Sequence, residues 1–262
     1  MKLAITGKGG VGKTTVSALV AYALRASGQE VFAIDADPDS NLLASMGHPE
    51  PNSVPPLVEL RELIRERTGA EPGTTGGMFR LNPEVGDIPE RYGVDMEGVR
   101  VLVAGAVRRG GSGCYCPENA LLRALVSHLL LKDGSSLVLD MEAGIEHLGR
   151  GTLEAMDRVL VVVDPGRRSV ETAARIGKMA ADIGLERIGV IGNKIRSEGD
   201  RVFLRANTGS MDVIGFIPYD EALQKAERLG KPVFGVSEPV EEAVSRIVKE
   251  KIAESDKVQQ GV

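Results

Sequence analysis

A glycine-rich octapeptide, Gly7–Thr14, is the feature that most constrains what this chain can fold into. It matches the pattern G-x-x-x-x-G-K-[ST] in full and stands between a β-rich run and an amphipathic segment. Glycines let the backbone wrap closely, so successive N–H groups at the start of a helix can point at phosphate oxygens. The octapeptide therefore predicts a strand over Lys2–Thr6, a phosphate-binding loop, and a helix over Lys13–Ser27.

The chemistry expected of this loop is the binding of a nucleotide's phosphates together with magnesium. In the pattern, the Lys13 ammonium contacts the β- and γ-phosphates, and the Thr14 hydroxyl binds the accompanying magnesium ion. We therefore predict a magnesium-dependent nucleotide site. Nucleotide contacts are expected from the loop and the residue after it, namely Gly7, Lys8, Gly9, Gly10, Val11, Gly12, Lys13, Thr14 and Thr15.

Short β-rich runs alternate with amphipathic segments after this loop, a pattern that predicts βαβ units around a parallel sheet. We predict one α/β domain of the P-loop NTPase type over residues 1–255, with a mostly parallel central sheet, helices on both faces, and a short polar tail over residues 256–262. Further strands are expected over Val31–Asp35, Arg100–Val107, Leu137–Asp140, Arg158–Val163, Arg187–Gly192 and Val213–Ile217. Further helices are expected over Leu57–Arg67, Pro117–Leu131, Ser169–Ile183, Asp220–Leu229 and Glu238–Ser255. The stretches His48–Pro56 and Met78–Pro89 are expected to be loop and irregular extended chain.

The composition is that of an ordinary globular protein with an acidic balance. The 262 residues are 42% hydrophobic and 26% charged, which excludes disorder for most of the chain. Aromatic residues make up only 3% and the net charge is −5, so nucleic acid is disfavoured as a partner. The purest apolar run, Val159–Val163, is far shorter than a membrane span, and the sequence begins without a signal-peptide core. We expect a cytoplasmic protein with no membrane partner.

Three aspartates stand where predicted strands end, at the edge of a parallel sheet that faces ligands. Asp35 and Asp37 are two residues apart, so extended chain would point both side chains the same way. Asp140 ends an apolar run. A buried strand that ends in an acidic residue is typical of sites where the carboxylate holds the water shell of magnesium. A helix N-cap flanked by surface acids is the alternative interpretation of the run Asp35–Asn41.

A second lysine gives the loop the sequence GKGGVGKTT, which resembles the deviant phosphate loop of the MinD, ParA and nitrogenase iron-protein superfamily. The resemblance implies a magnesium-dependent ATPase that binds and hydrolyses ATP and also binds ADP. It further implies that Lys8 reaches across a dimer to the nucleotide of the other subunit, where a cation stabilises phosphate charge. The run Asp35–Asn41 resembles the first switch of that superfamily, which implies that Asp37 positions the attacking water while Asp35 supports magnesium and the loop. Lys8 as a solvated loop lysine stays open as the alternative. The catalytic set implied is Lys8, Lys13, Asp37 and Asp140.

Three further segments resemble nucleotide-contacting parts of the superfamily. The run Met141–Gly151 resembles the second switch, in which Gly144 would sense the γ-phosphate through its backbone. Asn193 and Lys194 resemble the adenine-recognition element, and an amide offers both a donor and an acceptor to a base edge. Pro218 and the two residues after it are expected to line the base pocket. The cofactor contacts implied outside the loop are Asp35, Asn41, Gly144, Asn193, Lys194 and Pro218.

Both cysteines of the chain lie in one short segment, at Cys114 and Cys116. In extended chain they would point the same way, roughly 6.6 Å apart at the backbone, which suits two thiolates on one external ion better than a disulfide. Pro117 favours a helix start, so Cys116 is expected near an N-cap, where the helix dipole favours thiolate. A tetrahedral sulfur site needs four ligands, and a two-fold axis would supply the second pair. Two buried, unreactive thiols are the alternative, although the preceding glycines and Glu118 predict exposure.

The segments GCYCPENALLR and DMEAGIEHLGRG resemble the CooC family, the accessory ATPases that insert nickel into carbon monoxide dehydrogenase. The resemblance implies a homodimeric metallochaperone with carbon monoxide dehydrogenase as its client, and a nickel site at Cys114 and Cys116 that zinc can also occupy. An iron–sulfur carrier of the same superfamily, or a positioning or partition ATPase without metal chemistry, stays open. Which metal is physiological also stays open, because thiolates bind both.

The helix predicted after the cysteines is apolar nearly all round, which predicts that it is covered on both sides. His128 lies in this helix and is expected in the core or in an interface. His147 lies in the second-switch region, where a role as metal ligand or switch residue stays open.

Overall fold

A sheet of eight strands carries the fold, in the order β3-β4-β2-β5-β1-β6-β7-β8. The computed structural model describes residues 1–73, 78–105, 116–143, 155–209 and 211–252. Every pairing between these strands is parallel except the edge pair β3–β4, which is antiparallel. The strands are β1 Lys2–Gly7, β2 Glu30–Ala36, β3 Val94–Met96, β4 Val99–Val103, β5 Ser135–Met141, β6 Arg158–Val163, β7 Ile188–Ile195 and β8 Asp212–Pro218.

Helices cover both faces of this sheet, as the alternating pattern predicts. The helices are α1 Lys13–Ala26, α2 Leu42–Ser45, α3 Arg61–Thr68, α4 Ile88–Tyr92, α5 Pro117–Leu131, α6 Arg167–Asp182, α7 Glu198–Asn207, α8 Glu221–Arg228 and α9 Glu238–Arg246. One core cluster joins α1, α2 and α9 to the sheet, and a second joins α3, α5 and α6 to its opposite face. No helix in these described ranges is long and apolar enough to cross a membrane.

Strand register brings the predicted acidic residues to one edge of the sheet. Asp35 on β2 lies directly opposite Asp140 on β5, and Ile5 on β1 lies opposite Asp140 from the other side. Because all three strands run parallel, their carboxyl ends share this edge with the glycine-rich loop. The crossover helix α5 precedes β5 and runs back across the face, so its N-terminus lies towards the same edge.

Several predicted boundaries were wrong. The helix predicted over Leu57–Arg67 is a 3-10 turn, Leu57–Glu59, followed by α3, because Leu60 adopts a non-helical conformation with ψ 80°. The strand predicted to run from Arg100 ends at Val103, because the N–H groups of Ala104 and Gly105 turn to donate to the Asp35 carbonyl. Positions 106 and 107 lie outside the described residues.

Other differences concern ends of elements and elements that the periodicity did not reveal. The helix predicted over Glu238–Ser255 is α-helical only to Arg246 and continues as a π-helical turn, Ile247–Ile252. Short helical turns interrupt the stretches predicted to be loop and irregular chain, at Pro51–Ser53 and in α4. The helix α7 was not predicted, nor was the edge strand β3, which reverses into β4 through Glu97 and Gly98 with positive φ.

Candidate functional site

The glycine-rich loop has the backbone conformation that its composition predicts. Gly10 and Gly12 have φ of 83° and 92°, in the left-handed region that side chains rarely adopt. A Cβ atom on Gly12 would lie 2.6 Å from Asn193 Nδ2, so only glycine fits beneath that amide. The helix α1 begins immediately afterwards at Lys13, and its unpaired N–H groups and dipole therefore point into the loop.

A cavity of about 420 Å³ opens over this loop at the carboxyl edge of the sheet. It receives residues from the loop, from the ends of β2, β5, β7 and β8, and from α8. Described residues that line it are Gly9, Gly10, Gly12, Lys13, Thr14, Thr15, Asp37, Asp39, Asn41, Ser45, Glu142, Ala143, Asn193, Lys194, Pro218, Tyr219, Asp220, Leu223, Gln224 and Glu227. Its size and its glycine-rich floor suit a nucleotide.

Lys13 and Asp37 form the charged centre of the cavity. Lys13 Nζ lies 3.8 Å from Asp37 Oδ2, and the side chains are only 8% and 15% exposed. The other carboxylate oxygen of Asp37 accepts a hydrogen bond from the Asp39 N–H at 3.1 Å. The loop after β2 thus holds a carboxylate beside the lysine that the pattern assigns to the phosphates.

Asp140 is a fully buried carboxylate with one unused oxygen. Its Oδ1 accepts a hydrogen bond from the Ser17 hydroxyl at 2.9 Å, whereas its Oδ2 has no hydrogen-bond partner among the described residues. Burial raises the pKa of Asp140 to about 6, against the opposing effects of the nearby Thr14 and Ser17 hydroxyls and the Lys13 charge. A buried carboxylate oxygen with spare capacity beside a threonine hydroxyl fits the donor set that magnesium prefers.

Asp35 lies beside Asp140 in the sheet but does not line the cavity. Its side chain is fully buried, and it accepts hydrogen bonds from the N–H groups of Leu42 at 2.8 Å and Asp37 at 3.2 Å. Burial raises its pKa to about 7, and the Asp140 charge acts in the same direction. The expectation that Asp35 and Asp37 point the same way was wrong, because the strand ends at Ala36 and the chain turns. Asp35 therefore contacts the loop that carries Asp37.

Replacing Asp140 with asparagine is expected to stabilise the nucleotide-free protein. Asparagine still accepts from Ser17, can donate to the Thr14 hydroxyl, and removes a buried charge. The pKa displacement from 3.8 to about 6 corresponds to a gain of the order of 3 kcal/mol. Since the fold raises this pKa, the folded state binds the proton more tightly than the unfolded state does. The ionised Asp140 carboxylate therefore lowers the free energy of unfolding fully above pH 6, and this loss of stability fades towards pH 4. Thermal unfolding should show a higher Tm for Asp140→Asn at pH 8 and a smaller difference near pH 4.5, and a lower Tm at pH 8 would contradict this.

Asn193 and Lys194 lie at the rim of the cavity, inside β7 rather than after it. Lys194 has φ of 60°, and the pairing of β7 with β8 is irregular at this point. The Asn193 Nδ2 donates to the Val11 carbonyl at 2.8 Å, and its Oδ1 accepts from the Lys194 N–H at 2.9 Å. Lys194 Nζ donates to the Gly10 carbonyl at 2.7 Å. Both side chains thus bind the phosphate loop and also line the cavity, and their contact with a base stays a prediction.

The wall opposite the phosphate loop comes from β8 and α8. Pro218 lines it as predicted, and so do Tyr219 and Asp220, the two residues after it. Gln224 and Glu227 were not predicted, and the Glu227 carboxylate accepts a short hydrogen bond from the Thr15 hydroxyl. Their spacing of three residues on an amphipathic helix was the only signal that sequence offered, and it does not separate a cavity wall from a solvated face.

Two predicted nucleotide residues lie at the margin of the cavity. Asn41 lines it, as an exposed residue directly before α2. Lys8 is half-buried and is not among the described residues that line the cavity of its own chain. Gly144 and His147 lie outside the described residues.

Cys116 is the N-cap residue of α5, directly before Pro117, as predicted. The expectation of exposure was wrong for the residues that are described. Cys116 is 4% exposed and Glu118 is 9% exposed, and the Glu118 carboxylate accepts a hydrogen bond from the Gly73 N–H at 2.6 Å. Cys114 lies outside the described residues.

The helix α5 is covered on one side in the single chain. Leu121, Leu125 and Leu129 are buried, whereas Leu131 is 82% exposed. His128 is exposed and faces Gly86, so the core position expected for it was wrong in this chain. The second side of α5 was predicted to be covered by the other subunit of a dimer. The structure describes one chain, so this stays a prediction.

Comparison with known proteins agrees with this geometry. The family model for the CobQ/CobB/MinD/ParA nucleotide binding domain matches residues 2–233. The carbon monoxide dehydrogenase accessory protein CooC of Rhodospirillum rubrum is 47% identical over 239 residues, which cover 90% of each chain. An uncharacterized ATP-binding protein of Methanocaldococcus jannaschii is 43% identical and covers 89% of this chain and 91% of that protein.

A solved structure supports the fold independently. The MinC:MinD cell division protein complex of Aquifex aeolicus contains a chain that superposes with a TM-score of 0.67 at 20% identity, over 100% of this chain and 96% of that one. Fold and site together define a P-loop ATPase of the MinD and ParA class. Within that class, the chain belongs to the CooC family.

Proposed function

We propose that this ATPase is a metallochaperone that dimerises with nucleotide and metal and assists nickel insertion into the active-site cluster of carbon monoxide dehydrogenase. The observation that carries the proposal is Cys116 at the N-terminus of α5, towards the same edge of the sheet as the nucleotide cavity. The identity of 47% to a carbon monoxide dehydrogenase accessory protein supports the choice of client.

In the nucleotide site, each role follows from position and charge. Lys13 holds the β- and γ-phosphates, and Asp37, 3.8 Å from it, positions the water that attacks the γ-phosphate. The Thr14 hydroxyl and the unpartnered oxygen of Asp140 hold magnesium, directly or through its waters. Magnesium, when bound, screens the phosphate charge during transfer.

Lys8 is proposed to act on the nucleotide of a second subunit. It lies next to the cavity floor in sequence, yet the described lining of its own cavity does not include it. A cation delivered across an interface stabilises transition-state charge only when two subunits meet, which would tie hydrolysis to the dimer.

The proposed cargo site needs both subunits for the same geometric reason. Each chain offers two thiols, at Cys114 and Cys116, whereas a complete thiolate site takes four ligands. Cys116 stands at the N-terminus of α5, where the helix dipole attracts anionic ligands. Since Cys116 is only 4% exposed in the single chain, loading requires the chain around it to rearrange, and we expect dimer formation to supply that change. Nickel is the proposed cargo, and zinc is expected to bind the same thiolates.

Mixing two inactive variants tests the composite site. We expect Lys8→Ala and Asp37→Ala subunits each to hydrolyse ATP slowly, and an equal mixture to recover about a quarter of the parent rate, because half of random dimers carry one intact site. Hydrolysis and nickel-dependent activation of nickel-free carbon monoxide dehydrogenase should recover together. Mixing Asp37→Ala with Lys13→Ala is the matched control without recovery, since both sites then lack one of their own residues. No recovery in proven mixed dimers would refute the proposal.

A further inference from the structure

A serine hydroxyl on α1 holds one oxygen of the buried carboxylate on β5. Ser17 Oγ donates a hydrogen bond to Asp140 Oδ1 at 2.9 Å, and both side chains are fully buried. An ionised carboxylate only accepts hydrogen bonds, so the serine must be the donor. Ser17 follows the phosphate-loop pattern and is not among the described residues that line the cavity. The bond therefore reaches the carboxylate from the buried side of α1 and not from the cavity.

Two hydroxyls on the same side of α1 lie near this carboxylate. Thr14 and Ser17 are three residues apart, a spacing that puts both on one face of a helix, and α1 packs on β5. Thr14 lines the cavity, whereas Ser17 lies one turn deeper. Asp140 Oδ2 has no hydrogen-bond partner among the described residues. Because Ser17 occupies Oδ1, Oδ2 is the oxygen that remains for a magnesium ion held beside Thr14.

The consequence is a carboxylate whose plane has a defined orientation. The Cβ–Cγ torsion of an aspartate is soft, so a carboxylate without a bond to either oxygen turns easily. The hydrogen bond from Ser17 restricts this rotation, and it also offsets part of the cost of burying the Asp140 charge. Partners of this kind orient the groups that bind a metal, and their loss typically costs about 10- to 100-fold in metal affinity.

We propose that Ser17 is a positioning residue that orients the Asp140 carboxylate and thereby tightens the binding of magnesium with the nucleotide. The inference rests on the proposed function, in which Thr14 and Asp140 hold magnesium. Ser17 stands outside the described lining of the cavity, so its hydroxyl acts through Asp140 and not on the nucleotide. Loss of this hydroxyl therefore weakens the binding of magnesium and leaves the binding of metal-free nucleotide unchanged.

The test is the binding of a fluorescent ADP analogue to the purified full chain, in excess magnesium and in EDTA. The ratio of the two affinities, here called the magnesium ratio, measures what the metal adds to binding without any turnover. We expect Ser17→Ala to lower the magnesium ratio roughly 10-fold and to keep the parent affinity in EDTA. Ser136→Ala is the matched control, because that buried hydroxyl donates to Gln29 near the other end of β5, and its ratio should be unchanged.

A double-mutant cycle with Asp140→Asn shows whether Ser17 acts through Asp140. Asp140→Asn should itself lower the magnesium ratio, and adding Ser17→Ala should lower it no further. An unchanged ratio in Ser17→Ala, an equal loss of affinity in EDTA, or a further loss in the doubly substituted chain would overturn the inference and leave the magnesium site intact. An unchanged ratio in Asp140→Asn would instead overturn the magnesium role of Asp140 and the inference with it.

Discussion

Replacement of Lys13 with alanine is expected to abolish productive ATP binding and hydrolysis. Lys13 stands at the first position of α1 with its side chain 8% exposed, and its ammonium is the cation that the loop pattern assigns to the β- and γ-phosphates. Loss of one such positioned charge typically costs at least about 100-fold in the rate of transfer. The measurement is ATP hydrolysis together with direct binding of ATP and ADP.

The control for this variant is an exposed lysine elsewhere. Lys178→Ala removes an exposed ammonium from α6, outside the described lining of the cavity, and should hydrolyse ATP at the parent rate. Because the Lys13 side chain is largely buried, thermal unfolding of Lys13→Ala is measured as well. It separates a loss of hydrolysis from a loss of folded protein. Hydrolysis by folded Lys13→Ala at the parent rate would remove the basis for the nucleotide site.

Replacement of Cys114 and Cys116 with serine is expected to remove binding of nickel and zinc. Thiolates are the proposed ligands themselves, so the loss should exceed the roughly 10- to 100-fold typical of residues that only support a ligand. Metal-driven dimerisation should disappear with it, while binding of ATP at Lys13 is retained. Metal binding by dialysis, dimerisation by light scattering and ATP binding by fluorescence measure the three outcomes.

Lys13→Ala is the reciprocal control for the cysteine variant. It should lose nucleotide binding and keep its thiols, so the two variants separate the metal site from the ATP site. Undiminished metal binding in the doubly substituted chain would place the metal elsewhere, and a loss of ATP binding in that chain would show damage to the fold.

The parts of the fold that the sequence predicted are those with local causes. The phosphate loop was predictable because glycines at fixed spacing before Lys13 leave few other conformations, and the strands because buried parallel strands are continuous apolar runs. Cys116 at the N-cap of α5 followed from Pro117 alone. The helix α7 also had a local signal, since Ser197 and Asp200 form a capping box that hydrophobic periodicity does not weigh.

The parts that were wrong or missed depend on contacts distant in sequence. Glu118 was expected to be exposed, but it is buried, and Gly73, 45 residues earlier, donates to its carboxylate. The hydrogen bond from Asn193 to the carbonyl of Val11, 182 residues earlier, was missed, while its predicted contact with a base stays a prediction. Gln224 and Glu227 line the cavity, and the Thr15 hydroxyl that donates to Glu227 lies 212 residues earlier. Spacing along the chain carries no information about such partners.

The site residues also divide into those with a local sequence signal and those that depend on the folded chain. Lys13, Asp37 and Asp140 were predicted at this site from local motifs: Lys13 belongs to the loop pattern, Asp140 ends a predicted strand and Asp37 follows one shortly. Asp35 could not be separated from Asp37 by sequence, since only the turn after Ala36 sends one carboxylate to the loop backbone and the other to the cavity.

The most direct test of the account is the mass of the protein in solution during anaerobic nickel titration, with and without ATP. We predict one nickel ion per two chains, bound as the dimer forms. Linkage requires that ATP, by favouring the same dimer, tighten metal binding, by about 5- to 150-fold for coupling of ordinary size. One ion per single chain, with an affinity that ATP does not change, would contradict the shared metal site.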